Sequence, residues 1–72
     1  MARVEIRSEV AGTICAIEAG AGTSVATGDV ILFVECMKME IPVVAPRAGT
    51  VRLLVAEKEA VRERQVLAVI DE

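Results

Sequence analysis

The chain has 72 residues, a formal net charge of −3 and no histidine. That describes one small domain without imidazole acid–base chemistry, Ser-His or Cys-His nucleophile pairs, or a histidine-based metal site. Acidic residues are spread along it without any basic block, which argues against nucleic acid and anionic membranes as partners.

Residues 2–7 alternate, with Val4 and Ile6 on one face and Arg3, Glu5 and Arg7 on the other. The stretch from Met1 to Arg7 does not read as a secretory signal, and no apolar run reaches membrane-spanning length. A cytoplasmic protein with reduced thiols is therefore expected. Two isolated cysteines, Cys15 and Cys36, are too few for a structural zinc site. A strand over residues 12–17 comes next, with Cys15 buried in it, followed by turn-rich residues 18–23. A very short strand at 24–26 and a Gly28–Asp29 turn lead into a strand over 30–35. After a sharp reversal, strands are predicted over 40–45, 49–56, 60–61 and 66–70. Residues 57–64 are good helix formers, but an internal repeat pairs them with a segment rich in Gly and Thr, which overrules a helix. Hydrophobic residues make up 54% of the chain and Phe33 is the only aromatic, so the core is built from Val, Ile, Leu and Ala. If the Phe33 ring is fully buried, its truncation to Ala costs roughly 3–5 kcal/mol.

The repeat organises these elements. Ala11-Gly12-Thr13-Ile14 returns as Ala48-Gly49-Thr50-Val51, and residues 25–31 have a weaker echo in 61–67. The two offsets differ by one residue, which places a single insertion near Gly20 to Ser24. Two copies are too few for a solenoid. A closed β domain with pseudo-two-fold symmetry, spanning residues 1–72, is the natural alternative, because neither half buries its apolar face alone. Closely spaced turn signals point to an all-β sandwich or flattened barrel. Gly12 and Gly49, at matching positions, read as backbone requirements.

The reversal at Glu35-Cys36-Met37-Lys38-Met39-Glu40 carries the functional signal. Tight hairpins normally use Asn-Gly, Asp-Gly or Gly-Gly, which tolerate positive φ; here Met-Lys stands in their place. A local rule broken in an otherwise consistent sequence marks a functional or strained site. The simplest reading is a lysine amine displayed for attachment. Lys58, the other lysine, sits between Glu57 and Glu59 and reads as a solvated surface residue. No phosphate-binding Gly-rich loop is present. The chain is poorly equipped as a free-standing catalyst, and a carrier or binding module fits better.

Gly28-Asp29-Val30-Ile31, then Glu35, Met37-Lys38-Met39 and the later Ala45-Pro46-Arg47-Ala48-Gly49-Thr50-Val51 resemble the biotinyl/lipoyl attachment-domain family over nearly the whole chain. Methionines on both sides of the lysine point to its biotinyl branch, in the size range of free-standing biotin carboxyl carrier proteins. The resemblance implies a barrel-sandwich hybrid of two four-stranded antiparallel sheets, with Lys38 at the hairpin tip farthest from the termini. It also implies biotin attached covalently to Lys38, with biotin protein ligase, biotin carboxylase and carboxyltransferase as partners, and a chain that is monomeric alone and not itself an enzyme. Cys36 stands where the family commonly has Ala and would be a small filler. No insertion is long enough to form the protruding thumb of some carriers, so the attached group should move freely.

A lysine amine is protonated near neutral pH, so its activation would come from the ligase; this domain supplies presentation on a rigid hairpin. Tethering gives an effective concentration on the order of mM for a short flexible link. Met37 and Met39 read either as soft hydrophobes over the tip or as contacts for the ligase and carboxylase subunits, and the second is favoured. Glu35 is either a solvated strand end or part of the ligase recognition surface. The rival readings are a lipoyl carrier of a 2-oxo-acid dehydrogenase or glycine-cleavage system, and an unmodified barrel-sandwich interaction module.

Overall fold

In the computed structural model, which describes residues 2–72, eight strands follow one another: β1 (Arg3–Arg7), β2 (Gly12–Ile17), β3 (Ser24–Val25), β4 (Val30–Cys36), β5 (Met39–Val44), β6 (Gly49–Leu53), β7 (Ala60–Val61) and β8 (Val66–Asp71). Met1, which opens the alternating stretch, lies outside the described residues. The strands form two four-stranded antiparallel sheets, ordered β1-β8-β6-β3 and β5-β4-β2-β7. This is the barrel-sandwich expected from the pattern. The largest difference in strand limits is at β6, which ends at Leu53 where 49–56 was expected, although the Leu54 N–H still donates to the Leu67 carbonyl at 2.9 Å.

The two sheets share a core of Ile14, Ile31, Leu32, Val34, Val51, Leu67 and Ile70, each essentially excluded from solvent. A strict period of two would bury only alternate residues of a strand. Instead Ile31 and Leu32 are both buried, because the β4–β5 register skips from Val30↔Val44 to Leu32↔Val43. That bulge resets the alternation and leaves Phe33 half-buried outside the core cluster. The condition of full burial attached to the Phe33→Ala cost is therefore not met. β8 repeats the device, skipping from Val66↔Arg7 to Ala68↔Ile6 and burying both Leu67 and Ala68.

Pseudo-two-fold symmetry extends to individual hydrogen bonds. Gly22 N–H donates to the Val51 carbonyl at 2.8 Å, and Lys58 N–H to the Ile14 carbonyl at 2.7 Å. Gly28 N–H reaches the Ala45 carbonyl at 2.8 Å, as Arg64 N–H reaches that of Ser8 at 2.7 Å. The side chains of Asp29 and Gln65 accept from the N–H groups of Ala26 and Arg62, both at 2.9 Å. Gly22 and Gly28 have φ of 86° and 91°; their counterparts Lys58 and Arg64 adopt 71° and 70° without being glycine. The repeat demands a left-handed residue at each of these turns, whatever side chain it carries.

The location of the extra residue is also corrected. In β2–β4 the register runs Ile14↔Val34 and then Ala16↔Phe33, whereas the equivalent β6–β8 pairs Val51↔Ile70 and Arg52↔Val69 are consecutive. The residue present in one half and absent from the other is therefore Cys15, not one of residues 20–24. Cys15 is half-buried at this bulge, where a core position was expected. Its thiol donates to the Phe33 carbonyl at 3.5 Å.

Candidate functional site

β4 and β5 stay paired to Cys36↔Met39, which leaves Met37 and Lys38 alone to turn the chain. Their φ values are 53° and 67°, the double left-handed conformation of a type I′ turn. Such a turn matches the right-handed twist of its strands, so the hairpin closes without splaying. A side chain in this region costs on the order of 1–3 kcal/mol, which the long, regularly paired hairpin must offset. Because Lys58 and Arg64 break the same rule elsewhere, unusual turn chemistry does not by itself mark the site. Two consecutive left-handed side chains at one solvent-facing tip do distinguish it.

The turn directs its side chains into water. Met37 is 90% exposed and Met39 65%, while Lys38 is exposed and forms no ion pair among the described residues. Just behind the tip, Glu35 and Glu40 lie directly across from each other, with Thr13 of β2 on the far side of Glu35. Like charges at opposed positions destabilise a sheet. The symmetry-related position shows the usual remedy: Asp71 pairs with Arg3 at 3.0 Å and Arg52 at 3.3 Å. The counterpart of Arg3 is Glu40. Hairpin and terminal ends of one fold thus differ in charge.

The four residues singled out from the sequence, Glu35, Met37, Lys38 and Met39, come together at this tip. Glu40, opposite Glu35, belongs with them; its visible signal was the equal distance of the two glutamates from the turn. Gly12 supports the hairpin from behind, since a Cβ there would run into the carbonyl oxygen of Glu35 and lie 2.9 Å from Cγ1 of Val34. Cys36 is half-buried opposite Met39, and both cysteines are free. Burial, followed by the carboxylates of Glu40 and Glu35, pushes the Cys15 thiol up, which keeps it protonated and poorly nucleophilic. A groove of about 310 Å³ lies along β1 and β5, lined by residues including Ile6, Val10, Ile41 and Val43; Lys38 stands apart from it. Among the described residues, no group of three His, Cys, Asp or Glu side chains could hold a metal ion. No helix of the described residues is long and apolar enough to cross a membrane. What the tip offers chemically is a displayed primary amine, uncrowded and rigidly based.

The geometry is thus an all-β sandwich with one lysine exposed at the tip of a tight hairpin. The chain belongs to the family described as "Biotin-requiring enzyme", whose model matches residues 18–70. It is 33% identical over 67 residues to "Biotinylated protein TB7.3 homolog" of Mycobacterium leprae (strain TN), covering 92% of this chain and 94% of that protein. Among solved structures it is similar to the urea carboxylase of Kluyveromyces lactis (TM-score 0.91, 29% identity), covering 99% of this chain. It is also similar to a single-chain, multi-domain long-chain acyl-CoA carboxylase (TM-score 0.82, 28% identity), covering 93% of this chain. It spans only 6% and 7% of those two chains.

Proposed function

We propose that this chain is a biotin carboxyl carrier, a non-catalytic domain of residues 1–72 that bears biotin in amide linkage to Lys38. The observation that carries the reading is the type I′ turn, which fixes Met37 and Lys38 outward at the end of a fully paired hairpin. Membership of a biotin-requiring family and likeness to a protein described as biotinylated support the same prosthetic group. The tip accommodates it: the amine is in solvent and no ion pair among the described residues holds it down.

Lys38 supplies the nucleophilic amine, and forming the amide expels AMP from a biotinyl-adenylate made by the ligase. Rigidity comes from the β4–β5 ladder and from Gly12 behind it, so the reacting atom is held while the domain tumbles. Met37 and Met39 present apolar surface for the ligase and carboxylase subunits, and Glu35 adds a charge that such a partner can pair. Once bound, biotin carries a carboxyl group from a biotin carboxylase to a carboxyltransferase. Likeness to parts of two carboxylases supports this role. Free cysteines are in keeping with a reducing, cytoplasmic setting.

Intact mass after incubation with biotin protein ligase, ATP and biotin tests the assignment. One biotinyl addition is expected on the wild-type chain and none on Lys38→Arg, with Lys58 unmodified as an internal control. Labelling of the Lys38→Arg protein would assign the site elsewhere.

A further inference from the structure

We propose that the thioethers of Met37 and Met39 form a reversible oxidative modification site that silences the carrier without unfolding it; this rests on the proposed attachment of biotin to Lys38. The sequence contains three methionines, and the two among the described residues flank Lys38. They are 90% and 65% exposed, and neither belongs to the core cluster. Met37 is held at φ 53° on the outside of the turn. A peroxide needs only an unobstructed approach to a sulfur lone pair, and exposure of this degree provides it.

With hydrogen peroxide as oxidant, the sulfur lone pair attacks one peroxide oxygen and the O–O bond breaks. The departing hydroxide takes up the remaining proton as water. Sulfur loses two electrons and becomes a sulfoxide, while peroxide oxygen is reduced. The fold survives because neither side chain fills space between the sheets. Recognition does not survive, because an apolar, adaptable side chain on each flank of the amine becomes polar and strongly hydrated. Any partner covering the tip would then bury an unpaired sulfoxide oxygen. The nearby thiols are less open: Cys36 is half-buried, and Cys15 is half-buried with its thiol donated to the Phe33 carbonyl.

The apo protein would be treated with hydrogen peroxide, with sulfoxides at residues 37 and 39 located by peptide mapping to separate them from Met1. Biotinylation by biotin protein ligase would be measured before and after. We expect kcat/KM to fall about tenfold or more, the equivalent of leaving one polar group unsatisfied in a contact. The circular dichroism spectrum and Tm should be retained. Methionine sulfoxide reductases with dithiothreitol should restore the rate, and dithiothreitol alone should not. In Met37→Leu/Met39→Leu, peroxide should leave whatever rate that variant has unchanged. Equal labelling of oxidised and untreated protein would overturn the proposal. So would recovery with dithiothreitol alone, or an equal peroxide loss in the double variant, both of which assign the effect to the thiols. Failure of untreated protein to be biotinylated would instead remove the carrier reading.

Discussion

At the scale of single residues, the left-handed positions separate structural cost from functional use. Lys58 and Arg64 hold the φ values that their counterparts Gly22 and Gly28 reach without strain. Replacing Lys58 by Gly should raise stability by about 0.5–1 kcal/mol, the relief of left-handed strain less the added flexibility of the unfolded chain. Thermal denaturation would show the gain, and biotinylation should be unaffected. Cys15 illustrates a thiol made inert by its surroundings: its burial and the Glu40 and Glu35 carboxylates all favour the protonated form. It should alkylate more slowly with iodoacetamide at pH 8 in the folded protein than in the urea-unfolded chain. Its folded pKa is raised, so the stability it contributes is full below the unfolded thiol pKa and is lost as pH rises through the folded value. A chemical denaturation series on the alkaline side should therefore show declining stability, with a smaller decline in Cys15→Ala.

At the scale of elements, close backbone approach ties the hairpin to its neighbours. A Cβ at Gly49 would lie 2.5 Å from Cγ2 of Ile70 and 2.6 Å from the Asp71 carbonyl oxygen, the same crowding that Gly12 meets at Val34 and Glu35. Gly12→Ala and Gly49→Ala should each cost roughly 1–3 kcal/mol, as overpacking does. Their functional consequences should differ. Gly12 pushes on the strand that carries Lys38, so its variant should also be biotinylated more slowly at temperatures where it remains folded. Gly49 pushes on the strand at the chain's end, so its variant should lose stability only. The strand at residues 12–17 was legible because Gly12, Thr13 and the β-branched Ile14 and Ile17 announce it locally, whereas the one at 60–61 was legible only through the internal repeat, since its neighbours alone read as helix formers. The end of β6 was not, since apolar residues continue past Leu53 and only pairing decides where the ladder stops.

At the scale of the whole molecule, stability resides in aliphatic packing between the sheets. Leu67 is fully buried, and Leu67→Ala should cost about 2–5 kcal/mol, enough to unfold much of so small a domain. Phe33→Ala should cost only about 1–2 kcal/mol, because the half-buried ring gives up less area. Urea denaturation of the two variants would rank them in that order. A larger loss for Phe33→Ala would contradict its position outside the core.

The sequence by itself determined the all-β class, the two-fold repeat and the hairpin with its outward lysine. Each is encoded locally, in side-chain alternation, in a recurring tetrapeptide and in a reversal too short for any other connection. Only the tertiary structure decided which residue is the extra one, why Phe33 lies outside the core, and that Asp71 faces Arg3. Those outcomes depend on bulges and cross-strand register. Register is set by which apolar side chains fill the space between two sheets, a choice made jointly by strands far apart in the chain.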